Sequence, residues 1–475
     1  MDELLSDLGG APLSHDMISN ALGVASECIE IVAGSELRQA GSHSAVLRGS
    51  DRTVFLKKVT ASMVSGKAWN DRRRVLLYIR NELRFYTEFA DLLGNRGVRA
   101  PVLRHFVVEN LDGIEGHEEE PPPELLDRCG ALMFLEPLGQ GYMQTSPLSP
   151  AQARQVLVGA ARLHAAAWES VTTLERAALR LQRYGGSFAL SARNPKELQE
   201  LPVSWARFAA AFAPAAPPGF FDQPEIAQLG TRLQAAAQWI SAQLSPSPTD
   251  RFATLVHGDL KAMNVFLPEE VGLEGQEGQE WQEWQEGQEG QEGQEGQEGQ
   301  EGQEGGRRSS SSGGSDGAVL IDFASTGVGL GMADVAMHLV HALQPSDLDD
   351  GGEEAMIDSY LDALASHRAR GSTGGTCSVA DPADPAASAT AAVAPYPREL
   401  ALRHYRLALC DYGRFVMGRF WGTATPERFA KAAHSPNVVL ANRNLESALR
   451  FVTRISACLA EFEEEIRAER PVPRP

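Results

Sequence analysis

Between residues 71 and 93 the apolar side chains recur at steps of three and four. Val75, Ile79, Tyr86, Phe89 and Leu93 share one helical stripe, whose only charged member is Glu82. Upstream, "AVLRGSDRTVFLKKV" holds two β-rich runs around "GSDR", the pattern of a hairpin. "SPAQARQVLVGAARLHAAAWES" opens with Ser149, Pro150 and Gln152, a capping box with proline at the first helical position, and predicts a helix to about Trp168. From Arg398 the pattern is helical almost to the end. The predicted order is strands and one helix first, then mostly helices with one short β hairpin.

Two stretches lack the apolar side chains that offset ordering entropy, residues 270–317 and 369–397. Both read as disordered insertions in loops, the first Glu-Gly-Gln-rich and the second Ala/Pro/Ser-rich. The first is read as a passive repeat expansion, in which Trp281 and Trp284 are the only side chains able to anchor a partner. A shorter acidic, proline-rich stretch, "LDGIEGHEEEPPPELLDR", predicts another surface loop.

Composition narrows the class. A chain of 475 residues with 43% hydrophobic side chains can bury a sizeable core. Eleven glutamates between Glu274 and Gly306 account for much of the formal charge of -20; without them it is -9, with no basic footprint for nucleic acid. Five widely spaced cysteines include no Cys-x-x-Cys pair and fit a reducing compartment. An acidic N-terminus and the lack of a long apolar run predict a cytoplasmic protein without a membrane partner.

The chemistry is concentrated in "LVHGDLKAMNVF" and "AVLIDFAS". Asp259 is followed five positions later by Asn264, and Asp322 ends an apolar strand. Phosphoryl transfer needs these types, a carboxylate beside the attacking hydroxyl and two oxygen ligands for Mg²⁺ on nucleotide phosphates. Pairing of residues 264–267 with 318–321 would bring Asn264 and Asp322 together, with the first insertion in the turn, where added length costs little. Glu82 is expensive to bury without a cation, and a lysine of "VFLKK" is the expected partner. Alternation sets Phe55, Lys57 and Val59 on one face and Lys58 on the other, so one lysine faces the cleft. The order Val-Phe-Leu-Lys selects Lys57, with Lys58 as the alternative.

With "NELRFY", "ARLHAAAW", "VLIDFASTGVGLGMADVAMHL" and "IDSYLDAL" added, the chain resembles the aminoglycoside phosphotransferase and choline kinase group of protein-kinase-like enzymes. Its ecdysteroid-kinase-like branch is the nearest match. The resemblance implies an α+β, bilobal protein-kinase-like fold. Residues 1–137 would form a small β-sheet lobe with one helix, and residues 138–475 a larger, mostly helical lobe. It further implies ATP and Mg²⁺ as cofactors and a small-molecule alcohol as acceptor. Asp259 would be the catalytic base, Asn264 and Asp322 the metal ligands, Lys57 the phosphate-binding lysine and Glu82 its partner. Backbone amides of Gly41, Ser42, His43 and Ser44 would cover the phosphates, and the backbone from Glu136 to Leu138 would meet the adenine.

Lys261 has two readings of equal weight, neutralising the γ phosphate or standing in solvent. His257 is read as bonding the catalytic loop, His164 as a core histidine, and Asp334 as bracing the segment after Asp322 or capping the next helix. Tyr405, Tyr412, Phe415, Phe420 and Trp421 are read as core, and Asp411 as a substrate contact. Gly258 where protein kinases carry Arg, eleven residues between Asp322 and Asp334, and the absence of Ala-Pro-Glu argue against a protein kinase. A pseudokinase or binding scaffold remains the other class.

Overall fold

The computed structural model describes residues 3–23, 29–39, 41–49, 52–139, 141–269, 317–373 and 395–469. The alternating run at residues 42–60 folds as β3 (Ser42–Gly49) and β4 (Arg52–Thr60), antiparallel with Gly49 opposite Arg52. They lie inside a six-stranded antiparallel sheet in the order β1 (Glu30–Ile31), β3, β4, β6 (Gly130–Leu135), β5 (Leu103–Glu109). Strand β2 (Leu37–Gln39) is added at β3.

Period-two alternation gives this sheet two apolar faces. The outer face, with Ala45, Leu47, Val54, Leu56, Leu132 and Phe134, packs under Leu4, Leu8 and helix α1 (His15–Leu22). This N-terminal cover has no counterpart in the expectation of one helix. It also settles Lys58, whose Nζ is buried beneath it and donates to the Ser6 carbonyl and hydroxyl, both at 2.8 Å. The inner face packs on helix α2 (Trp69–Glu88), the expected amphipathic helix, which starts two residues early and breaks at Phe89, where φ is -123°. Val75 is only partly buried; it fills the space beside Gly41, where an added Cβ would lie 2.8 Å from Val75 Cγ1.

The acidic loop at 111–128 is fastened rather than free. Leu111 and Ile114 are buried, and Glu115 and Glu120 pair with Arg80 and Arg72 of α2.

Beyond β6 the chain is mainly helical. The helix Pro150–Ala167 carries the full capping box at Ser149 and Gln152. The helix Gly352–Thr373 packs along it and runs into what the sequence reads as insertion from residue 369. The rest of that segment up to residue 394, and residues 270–316 with Trp281 and Trp284, lie outside the described residues. The long helices Arg398–Arg419 and Leu445–Glu469 complete the larger part, with Tyr405, Tyr412, Phe415 and Trp421 in its core and Phe420 exposed. The architecture is thus α+β and bilobal, a small antiparallel sheet lobe joined to a larger helical one.

Two small sheets sit where the lobes meet. Strands β10 (Val319–Leu320), β9 (Val265–Pro268) and β7 (Tyr142–Met143) form one, and β11 (Gly327–Leu330) pairs with β8 (Ala253–Val256) in the other. Leu320 opposes Val265, as the expected hairpin requires. Among the described residues no helix is long and apolar enough to cross a membrane.

The first insertion is therefore spliced between the ends of β9 and β10, and closing a loop costs only about 0.6 kcal/mol more per doubling of its length. Replacing residues 270–316 by a short Gly/Asn turn is expected to leave the melting temperature of the protein unchanged or slightly raised. A large fall in thermal denaturation would show that the segment contributes to the fold.

Candidate active site

The cleft is assembled from four stretches that local pattern alone does not bring together. On the sheet side Lys57 projects from the inner face of β4. Its Nζ donates to Glu82 Oε2 at 2.7 Å and to Asp322 Oδ1 at 3.3 Å. Burial alone would lower the pKa of this ammonium, but Asp322 and then Glu82 more than offset it, and Lys57 is held well above its ordinary value. Burial pushes the Glu82 carboxyl up to about 7 even with Lys57 beside it. The charge of Lys57 therefore does not depend on Glu82 alone, because Asp322 supplies a second anion. Burial raises Asp322 as well, yet Lys57 and Lys261 bring it below the usual carboxylate range.

Glu82 is aimed by its neighbour Asn81. The Asn81 amide donates to the carbonyls of Phe323, Ala324 and Thr326 at 3.3, 2.9 and 3.0 Å, and Phe85 stacks on Phe323 with ring centroids 3.7 Å apart. One helix thus holds both the partner of Lys57 and the turn after Asp322. Asp322 itself lies in the left-handed region at φ 62°, which Asp tolerates better than most residues. Asn81 went unremarked in the sequence; its place directly before Glu82, at a buried helical position, was the available signal.

On the helical side Asp259 and Asn264 face each other across a short loop. Asn264 Nδ2 donates to the Asp259 carbonyl at 2.8 Å and to Asp259 Oδ2 at 2.9 Å. The Ile321 amide donates to the Asn264 carbonyl at 3.0 Å, so strand pairing sets Asp322 next to Asn264. With the Asn264 amide nitrogen engaged, its oxygen and the Asp322 carboxylate make a two-oxygen donor set. That set fits Mg²⁺, which takes one or two protein oxygens and completes its shell with water and phosphate. Lys261 Nζ lies 3.3 Å from Asp259 Oδ2, and Asp259 raises its pKa more than burial lowers it. Its side chain is thus part-buried against Asp259 rather than standing free in solvent.

The loop is held from below by Asp334. This fully buried carboxylate accepts from the amides of His257 at 2.7 Å and Gly258 at 2.8 Å, and from His164 Nε2 at 3.0 Å. His164 Nδ1 is bonded to Tyr360, so it is a satisfied core histidine. Asp334 braces the segment before Asp259, rather than the one after Asp322, because the helix starting at Met332 points its first turn at the back of that loop. His257 accepts from the Asp259 amide at Nδ1 and donates to the Ile321 carbonyl from Nε2, joining the two halves of the site. Gly258 has φ 81°, and a Cβ there would lie 2.2 Å from the Ser325 carbonyl oxygen and 2.7 Å from the Gly186 nitrogen. No side chain fits where protein kinases carry Arg.

The remaining expected residues fall as follows. Ser42, His43 and Ser44 are already strand residues, with His43 turned to the outer face and bonded to Glu36. The Glu136 amide donates to the Val102 carbonyl and its side chain pairs with Arg104 in solvent. Among the described residues no backbone group bonds the Glu136 carbonyl or the Leu138 amide. Asp411 is corrected: it is buried and bonded to Arg414 Nε at 2.6 Å, and Arg414 reaches the Phe188 carbonyl, so the carboxylate is spent on an internal pair. Ser187 is a further residue of the site that the sequence reading passed over; its hydroxyl donates to Asp259 Oδ1 at 3.0 Å. The glycine pair in "YGGSF" was the signal for such a close approach.

No protein-family model matches the chain, and no curated protein matches it in sequence. Solved structures do align with it. The choline kinase from Streptococcus pneumoniae covers 92% of this chain and 94% of its own, at 9% identity and a TM-score of 0.37. A microcompartment-associated aminopropanol kinase covers 93% of both chains at 13% and 0.42, and an amicoumacin kinase in complex with AMP-PNP and Ca²⁺ covers 90% of both at 11% and 0.42.

Removing one partner from a buried charged network costs about 3–5 kcal/mol. Asp334→Asn is expected to lose stability of that order in chemical denaturation. His164 and its other bonds lower the Asp334 pKa in spite of burial. The stabilisation is therefore present above the ordinary carboxylate range and lost as pH falls through the depressed value. A variant as stable as the parent at neutral pH would contradict the bracing role.

Proposed function

We propose that the protein is an ATP- and Mg²⁺-dependent phosphotransferase that moves the γ phosphate to a hydroxyl of a small-molecule alcohol. The observation that carries this reading is the position of Asp322, bonded to Lys57 on one side and set beside Asn264 and Asp259 by strand pairing on the other. A cation, two metal-ligating oxygens and a carboxylate base then converge on one cleft, which is the set that phosphoryl transfer needs.

In this reading Lys57, held by Glu82, pairs with the nucleotide phosphates. Asn264 and Asp322 hold Mg²⁺, which neutralises charge on the phosphates. Asp259 accepts the proton of the attacking hydroxyl while the γ phosphate transfers in line and ADP leaves. Lys261, raised by Asp259 and close to Asp322, is placed to meet the charge on the transferred group. The turn at Gly41 covers the phosphates, and the Glu136 carbonyl and Leu138 amide meet the adenine. The sequence motifs make the ecdysteroid-kinase-like branch the nearest subgroup, and a cytoplasmic setting and a non-nucleic-acid, non-membrane acceptor belong to the same proposal.

Asp259→Ala is expected to lose on the order of 10²- to 10⁴-fold in turnover, the usual worth of a general base. The assay is ADP formation with Mg²⁺ and a pooled library of small alcohols, amino alcohols, sterols and aminoglycosides. Unchanged turnover would remove Asp259 from its role, while tight MgATP binding without any turnover would turn the reading towards a scaffold.

The two adjacent lysines should separate cleanly. Lys57→Ala is expected to weaken MgATP binding by roughly 10- to 100-fold, the worth of a charge-assisted hydrogen bond of about 1.5–3 kcal/mol. Lys58→Ala should instead lower thermal stability, because it removes the hydrogen bonds that Lys58 gives to the Ser6 carbonyl and hydroxyl under the N-terminal cover. Calorimetric titration with MgATP beside a melting curve checks both.

A further inference from the structure

Of the two oxygens of Asp259, Oδ2 is taken by Asn264 and faces Lys261, while Oδ1 accepts a hydrogen bond from a hydroxyl. That hydroxyl belongs to the protein. It is Ser187, and its Oγ stands 3.0 Å from Oδ1 with its proton directed at the carboxylate. An alcohol acceptor must make the same bond before its oxygen can attack.

The backbone that brings Ser187 there is built for close approach. The Ser187 amide donates to the Gly258 carbonyl at 2.7 Å, the Gly186 amide to the Ser325 carbonyl at 3.0 Å, and the Gly185 amide to the Val328 carbonyl at 2.8 Å. Gly186 has φ 138°, and a Cβ on Gly185 would lie 2.5 Å from Val256 and 2.8 Å from the Gly327 nitrogen. Two glycines are therefore what let residue 187 lie against the catalytic loop. On the far side the segment is fixed by two arginines. Arg193, bidentate to Glu197 and packed on Phe415, also reaches the Ser187 carbonyl at 3.4 Å, and Arg414 holds the Phe188 carbonyl. Ser187 is held in place from both sides.

We propose that Ser187 is an intramolecular phosphoryl acceptor, modified by the protein's own active site when MgATP is bound and no small-molecule alcohol is present. The inference rests on the phosphotransferase reading above. Ser187 Oγ attacks the γ phosphorus, the bond from that phosphorus to the bridging oxygen breaks, ADP leaves with the electron pair, and the hydroxyl proton passes to Asp259 and then to water. The product is a phosphate monoester beside the base, where Lys261 meets the other oxygen of the same carboxylate and Arg193 reaches the Ser187 carbonyl. It removes the hydroxyl from Oδ1 and sets a dianion where an acceptor would bind, so the modification closes the site to further transfer.

The test uses the full-length protein with Mg²⁺ and γ-labelled ATP, no alcohol added, and phosphopeptide mass spectrometry, with MgATP binding measured in parallel by calorimetry. The expected result is label on the peptide that contains Ser187, with a first-order rate constant independent of protein concentration. Label should be absent from Ser187→Ala and from Asp259→Asn, in which Ser187 and the glycine turn are intact. MgATP binding without label at Ser187, or label only at other residues, overturns the proposal and leaves the phosphotransferase reading to the acceptor assay. Absence of both MgATP binding and ADP formation overturns the two together. A first-order rate constant, read as label per molecule per unit time, that rises in proportion to protein concentration shows transfer between molecules and overturns the intramolecular step.

Discussion

The structure turns on one half-buried ammonium that needs two carboxylates. Lys57 comes from the sheet, Glu82 from the helix behind it, and Asp322 from the turn that leaves the β9–β10 hairpin. None of these charges can be buried alone without a cost of several kcal/mol. Their shared satisfaction fixes the distance between the sheet, helix α2 and the hairpin. The arrangement also sets a cation and an anion at one point, which is where the proposed reading puts the nucleotide phosphates and their metal.

A second constraint lies on the opposite wall. The loop that carries Asp259 has no strand or helix to satisfy the amides of His257 and Gly258, so a buried carboxylate does it. Asp334 takes the amides of His257 and Gly258, and His257 passes the order on to Ile321 and Asp259. The loop is consequently held in place by bonds that can be traced one by one. The two constraints meet at strands β9 and β10, where Ile321 bonds to Asn264. A long acidic insertion between those strands is compatible with this, because it enters after the pairing has been made.

Close backbone packing explains features that side chains do not. Gly258, Gly185 and Gly186 interlock with Ser325 and Gly327, and no β-carbon could be added at Gly258 without collision. The lack of an Arg before Asp259, which in the sequence marks a difference from protein kinases, is in the structure a consequence of this packing. The space such a residue would occupy is filled by the chain that carries Ser187.

Much of this was legible in the sequence, and the physical reason is locality. The hairpin at "GSDR", the capping box at Ser149 and the stripe of α2 depend on residues within a few positions of one another, so the periodicity of the chain is enough to read them. The need of Glu82 for a partner followed from its position among apolar side chains, before any partner was known. What the sequence left open were meetings between distant segments. Lys57 rather than Lys58 faces the cleft because an N-terminal cover takes the other face of the sheet. Asp334 braces the loop before Asp259, Asp411 is spent on Arg414, and Ser187 reaches Asp259, all through the path of the backbone between elements. Local pattern determines which residues share a face; only the packed chain decides what that face meets.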